Sequence, residues 1–168
     1  PVTVVISLKG WVRARTGHGH DPAGFAFKAG DGLYGTFECR TVDPMIVVGS
    51  NGRVYSVPVS ALPGARGDGA PITTMIELES GTQPVHYLAG SVDQTLLFAN
   101  TGGFGLMAKL GDLITRQKGG KGFLTLDEGD LVLPPVLVQP GHTHVACLAQ
   151  GGRMLVFGLD ELKLQSNG

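Results

Sequence analysis

Three glycine-rich loops, each headed by a basic residue, carry the most legible chemistry in this chain: KAGDG at 28–32, RGDG at 66–69 and KGGKG at 118–122. Glycine lets a backbone approach a polyanion, main-chain N–H groups donate to phosphate oxygens, and Lys or Arg neutralises the charge. One such loop is an ordinary solvated turn. Three at corresponding places would bring Lys28, Arg66 and Lys118 to one edge of the molecule, with Arg116 and Lys121 reinforcing the third and Arg13 and Arg15 adding charge near the start. No element suited to reading bases is evident, so the expected mode is backbone contact and duplex shape. Arg53 and Arg153, each just past a turn, read as solvent-facing strand residues. The acidic cluster Asp127, Glu128 and Asp130 is expected either away from any polyanion path or trimming affinity near it.

The remaining reactive side chains form no catalytic pattern. His18 and His20, and His142 and His144, stand two apart and so share a strand face, but they lack cysteines at zinc spacing and read as structural or surface residues. Asp21-Pro22 and Asp43-Pro44 are turn formers. Ser7, Ser50 and Ser91 have no partners that single out a nucleophile, and no nucleophile-elbow, P-loop or zincin motif occurs. No catalytic residue, cofactor site or metal site is therefore assigned to this segment. Cys39 and Cys147 lie in apolar stretches and read as buried free thiols, which suits a reducing cytoplasm.

Four hairpins must position these loops: VVISLKGWVRA at 4–14, MIVVGSNGRVYSV at 45–57, TLLFANTGGFGLMA at 95–108 and HVACLAQGGRMLVF at 144–157. Their turn glycines, Gly10, Gly52, Gly103 and Gly152, are 42, 51 and 49 residues apart. Repetition at this period means stacked or radial β units, since one unit cannot bury its own apolar face. Asn51-Gly52 predicts a type I′ turn, and the flanking Val, Ile, Leu, Phe and Tyr suit pleated surfaces. A leucine, Leu62, Leu113 or Leu162, follows the second, third and fourth turn glycines at a constant ten residues, in segments short enough for single helical turns. After each basic loop a further strand is expected, LYGTFEC, PITTMIEL or FLTL, whereas ESGTQP at 79–84 and VQPGHT at 138–143 read as turns. The unit is thus about four strands, the size of a propeller blade.

With 168 residues the chain suits one domain, 1–168, of all-β class. Its formal net charge of −1 gives no long-range attraction to nucleic acid, so binding must come from a local patch. Apolar runs are of strand length, too short to span a bilayer as a helix. Pro1 in place of an initiator methionine, and a fourth unit that stops at Gly168 before its return segment, lead us to expect a segment of a longer polypeptide.

GWVRARTGHGHDPAGFAFKAGDG at 10–32, LPGARGDGAPIT at 62–73 and GRMLVFGLDEL at 152–162 together resemble the C-terminal domains of the A subunits of bacterial type IIA topoisomerases, the topoisomerase IV branch above the gyrase branch. The resemblance spans essentially the whole chain. It implies a β-pinwheel, a propeller-like disc whose blades exchange strands, with duplex DNA held on a basic outer rim. Gln117-Lys118-Gly119-Gly120-Lys121-Gly122 approximates the signature box of the gyrase branch, but is one residue short and lies in the third unit. The resemblance therefore implies bending and capture of DNA without full wrapping. It also places the active site outside this segment, in a parent enzyme using ATP and Mg2+ that assembles with itself and with a separate ATPase protein. A gyrase-type wrapping domain and a propeller-like protein-interaction module are the alternatives.

Overall fold

The computed structural model describes residues 1–64, 67–103, 105–124, 126, 129–139, 142, 144–148 and 154–158. Three hairpins open three sheets: β1 (Val2–Ser7) with β2 (Trp11–Thr16), β4 (Pro44–Gly49) with β5 (Arg53–Pro58), and β8 (Thr95–Ala99) with β9 (Gly105–Lys109). A fourth pair, β12 (His144–Leu148) with β13 (Met154–Gly158), forms a two-stranded sheet among the described residues. Each first strand is flanked by a return strand: β3 (Leu33–Cys39) on β1, β7 (Pro84–Ala89) on β4 and β11 (Val136–Val138) on β8.

The outer edge of each of the first two sheets is closed from the next unit. β6 (Ala70–Pro71) pairs Pro71 with Trp11 and Ala70 with Val12 on β2, while β10 (Lys121–Gly122) pairs Lys121 with Val54 and Gly122 with Arg53 on β5. The sheet orders are therefore β3-β1-β2-β6 and β10-β5-β4-β7, all antiparallel. Strand exchange, implied by the resemblance alone, is present in the fold.

Packing explains why the first strands of the first two sheets, β1 and β4, are buried along their whole length, whereas β8 alternates between buried and half-buried residues. All six residues of β4 are buried, because alternate side chains point to opposite faces and both faces are covered. Met45 and Val47 join Val4, Ile6 and Val12 in one core, whereas Ile46 and Val48 join Leu96, Phe98 and Leu113 in the next. Leu62 and Leu113 both enter these cores, at the ends of 3-10 turns Val59–Ala61 and Leu110–Leu113, as their constant spacing anticipates. Leu162 lies outside the described residues.

The hairpin turns differ in kind from the expectation. No non-glycine residue among those described has positive φ, so Asn51 cannot occupy a type I′ turn. Instead Gly10, Gly52 and Gly103 each donate N–H to the carbonyl three residues back (Ser7, Gly49, Asn100), with φ of +84°, +80° and +93°. This is a turn closed by a left-handed glycine, the three-residue hairpin loop, and it recurs in identical register. The expected strands PITTMIEL and FLTL are not where the pairing falls: β6 takes only Pro71 of the first, and β10 precedes the second, at Lys121–Gly122 in the expected glycine loop, while Ile72–Thr74 is a 3-10 turn and Phe123 and Leu124 enter the core.

Candidate nucleic-acid interface

The three basic loops are not equivalent. Residues 28–32 lead into β3, which returns to its own hairpin, whereas residues 67–69 and 118–120 lead into β6 and β10, which cross to the preceding sheet. The glycines that end the two crossing loops are required by that crossing. A Cβ on Gly69 (φ +87°) would lie 2.2 Å from the Val12 carbonyl oxygen, and one on Gly120 (φ +70°) would lie 2.5 Å from that of Val54. Only a residue without a side chain lets the incoming strand reach the ladder there.

Arginines on the receiving strands hold the crossing loops. Arg13, on β2, donates from Nη1 to the Gly67 carbonyl and from Nη2 to the Ala26 carbonyl, both at 2.6 Å. Its guanidinium also packs against the rings of Phe25 and Phe27, at 5.7 and 5.1 Å from their centroids. At 6% exposure with both terminal nitrogens engaged, Arg13 is a clamp between two loops, which corrects its expected role as a phosphate contact. Arg53 likewise departs from its expected solvent-facing role: it donates from Nε to the Gly119 carbonyl (3.1 Å) and from Nη2 to that of Gly120 (2.9 Å). Sequence reasoning missed both clamps because each joins residues more than fifty positions apart.

Exposed cations remain at the same edge of both sheets. Arg15 extends beyond Arg13 on β2, over Phe25 at 5.7 Å, and the Lys28 ammonium sits 3.9 Å from the centroid of the Trp11 ring. Cation–π attraction of this kind fixes a lysine head that would otherwise roam. Lys9, exposed at the first hairpin tip, is also close by: its Nζ lies 3.4 Å from where a Cβ of Gly30 would sit. The Lys-Gly of that turn was the sequence signal for it. Beside β5, Arg116 and Lys118 are exposed, while Lys121 is half-buried with its ammonium donating to the Asp112 carbonyl. Arg66 and the acids Asp127 and Glu128 lie outside the described residues, as does Arg153.

The acid of the first loop is also committed. Against the effect of its partial burial, hydrogen bonds from the Ser7 hydroxyl and from the N–H groups of Gly32 and Lys9, together with the Lys9 charge, hold the Asp31 carboxyl below the usual range. It thereby fastens the loop to the hairpin turn. His18 and His20 bond the carbonyls of Cys39 and Thr16, both at 2.8 Å, and His18 pairs with Glu38 at 3.4 Å. Among the described residues no three His, Cys, Asp or Glu side chains group as metal ligands. None of their helices is long and apolar enough to cross a membrane.

Sheets closed by strands from the following unit, with cations gathered at the receiving edges, define a β-pinwheel domain. No protein-family model matches the chain. It is 42% identical over 178 aligned positions to the A subunit of DNA topoisomerase 4 from Neisseria gonorrhoeae and 38% identical to that of Escherichia coli K12, in each case along its whole length. The chain spans about a quarter of those relatives, 23% and 22%. Among solved structures, the C-terminal domain of E. coli ParC matches with a TM-score of 0.91 at 38% identity, covering 99% of this chain and 68% of that one. The C-terminal domain of DNA gyrase A has the same fold at 18% identity and a TM-score of 0.64, covering 99% and 57%. The chain belongs to the family of C-terminal domains of topoisomerase IV A subunits.

Proposed function

We propose that this domain binds and bends duplex DNA along the edges that receive the crossing strands, and presents it to the strand-passage core of a type IIA topoisomerase. The observation that carries the reading is the placement of Arg15 and Lys28 beside β2 and of Arg116 and Lys118 beside β5, the same edge of two successive sheets. A net charge of −1 makes such local placement the source of affinity. The domain tunes which DNA substrates are favoured in ATP-dependent relaxation and decatenation, and it performs no chemistry itself. The parent works in the bacterial cytoplasm, using ATP and Mg2+, and assembles with itself and with a separate ATPase protein.

The test is anisotropy of a labelled duplex titrated with the chain over a salt series. Four exposed cations on phosphates give a slope of log affinity against log salt of about −3 to −4. Absence of binding at low salt would refute the reading. One feature favours a second reading, a protein-interaction module: an open cavity of about 580 Å3 lined in part by Pro44, Met75 and the exposed Val42, Val92 and Ile114. A chain that ignores DNA would direct attention to that surface.

A further inference from the structure

The turn at residues 117–120 is held almost entirely by its carbonyls. Gly120 N–H closes it onto the Gln117 carbonyl at 3.0 Å, and the Lys118 carbonyl accepts from Glu77 N–H at 2.9 Å. The next two carbonyls, of Gly119 and Gly120, both accept from the Arg53 guanidinium. In a trans peptide the C=O and the following N–H point in opposite directions. The N–H of Gly119 therefore points away from Glu77, and that of Lys118 points out of the turn. Neither has an acceptor among the described residues. Two outward N–H groups thus lie in the same turn as the exposed Lys118 and next to the exposed Arg116, a set of donors and cations suited to an anionic oxygen.

We propose that Arg53 is a positioning residue that shapes this turn into a cup for one phosphodiester group, received by the N–H groups of Lys118 and Gly119 and by the neighbouring cations. The inference rests on the duplex-binding reading above. Arg53 touches no DNA; it orients the peptides that do. A related contact at the first crossing loop, from Arg13 to the Gly67 carbonyl, shows the fold using a guanidinium to hold a crossing loop twice, from different positions on the receiving strand. The strand position of Arg53 alone suggests only a solvated side chain.

The experiment uses the whole chain, as wild type and as Arg53→Met, Arg53→Lys, Lys118→Gln and the Arg53→Met/Lys118→Gln pair. Affinity for a labelled duplex is measured over a salt series, and amide resonances are followed as duplex is added. In the wild type the amide signals of Lys118 and Gly119 shift with saturation. Arg53→Met weakens binding about tenfold and lowers the salt slope by about one. Arg53→Lys, with one donor point in place of a fork, falls between. The double variant loses less than the product of the single losses, because both changes act on one phosphate. If Arg53→Met folds poorly, the wild-type amide shifts and Arg53→Lys still decide. Amide signals of 118 and 119 that stay fixed while the duplex binds would overturn the inference and leave the duplex reading standing, as would wild-type affinity and slope in both Arg53 variants. A wild-type chain that binds no duplex at low salt would overturn both.

Discussion

Alanine at two turn glycines separates the cost of a backbone conformation from the cost of a contact between sheets. Gly52 and Gly103 hold the same place in successive hairpins, with φ of +80° and +93°. A Cβ at Gly103 meets nothing within 4 Å among the described residues, so Gly103→Ala bears only the left-handed backbone penalty, about 1–2 kcal/mol. A Cβ at Gly52 would lie 2.0 Å from the Leu124 carbonyl oxygen, a backbone atom that cannot swing aside. The Gly52 carbonyl also accepts from Leu124 N–H at 2.9 Å and Phe123 N–H at 3.3 Å, where the next unit joins this sheet. Gly52→Ala adds to the backbone penalty a displaced hydrogen bond, about 1 kcal/mol, and misfit of Phe123 and Leu124 in the core, about 1–3 kcal/mol. The sum is roughly 3–6 kcal/mol. In a chain of this length 1 kcal/mol moves Tm by about 2–4 °C, so Gly103→Ala costs a few degrees and Gly52→Ala some three times as many. Calorimetry or thermal circular dichroism reads the difference. Equal shifts for the two variants would refute the contact between Gly52 and Leu124.

Replacing Arg116 and Lys118 with Glu should abolish most duplex binding at moderate salt while changing stability by no more than about 1 kcal/mol, because exposed charges contribute little to folding; anisotropy and Tm on the same sample check both halves. Arg13→Met should destabilise by about 2–4 kcal/mol, since the carbonyls of Gly67 and Ala26 lose a charged donor, whereas the exposed Arg15→Met should melt like wild type. Burial, with the Asp43 charge nearby, pushes the Cys39 thiol up from 9.0 to about 11, and burial beside Tyr34 and Asp31 pushes the Tyr87 hydroxyl up from 10.0 to about 12. Above about pH 9 the unfolded chain releases protons that the native chain keeps, so stability falls as pH rises from there toward 12. Urea midpoints over that range test this: Cys39→Ala should remove the part of the fall that begins near pH 9, and an unchanged profile would refute the thiol's share.

Features set within one hairpin were legible in the residues; features made between hairpins were not. The turn glycines and the leucines ten residues beyond them report local geometry, and Leu62 and Leu113 fill the cores accordingly. Asn51-Gly52 misled because glycine alone takes the left-handed position while Asn51 stays at negative φ. The basic loops were legible as loops, but as sequence their glycines suggest room for phosphate. At Gly69 and Gly120 they are room for the Val12 and Val54 carbonyls. Arg13, Arg15 and Lys28 look alike as charges in a sequence. Their fates diverge because the loop at 21–31 folds over β2, covering Arg13 with Phe25 and Phe27 while leaving Lys28 on the open side of Trp11.

Closure of the first two sheets by the units that follow them also gives the domain a direction in time. The first sheet has a bare edge at Trp11 and Val12 until Pro71 has been synthesised, and the second has one at Arg53 and Val54 until Gly122 has been made. At about 5–20 residues per second on the ribosome, each blade waits seconds for its last strand. A bare edge is a template for mispairing while it lasts. Maturation therefore trails synthesis by one repeat, and a lesion in either crossing segment is felt first in the blade before it: damage at 69–71 would surface as a fault in residues 2–39.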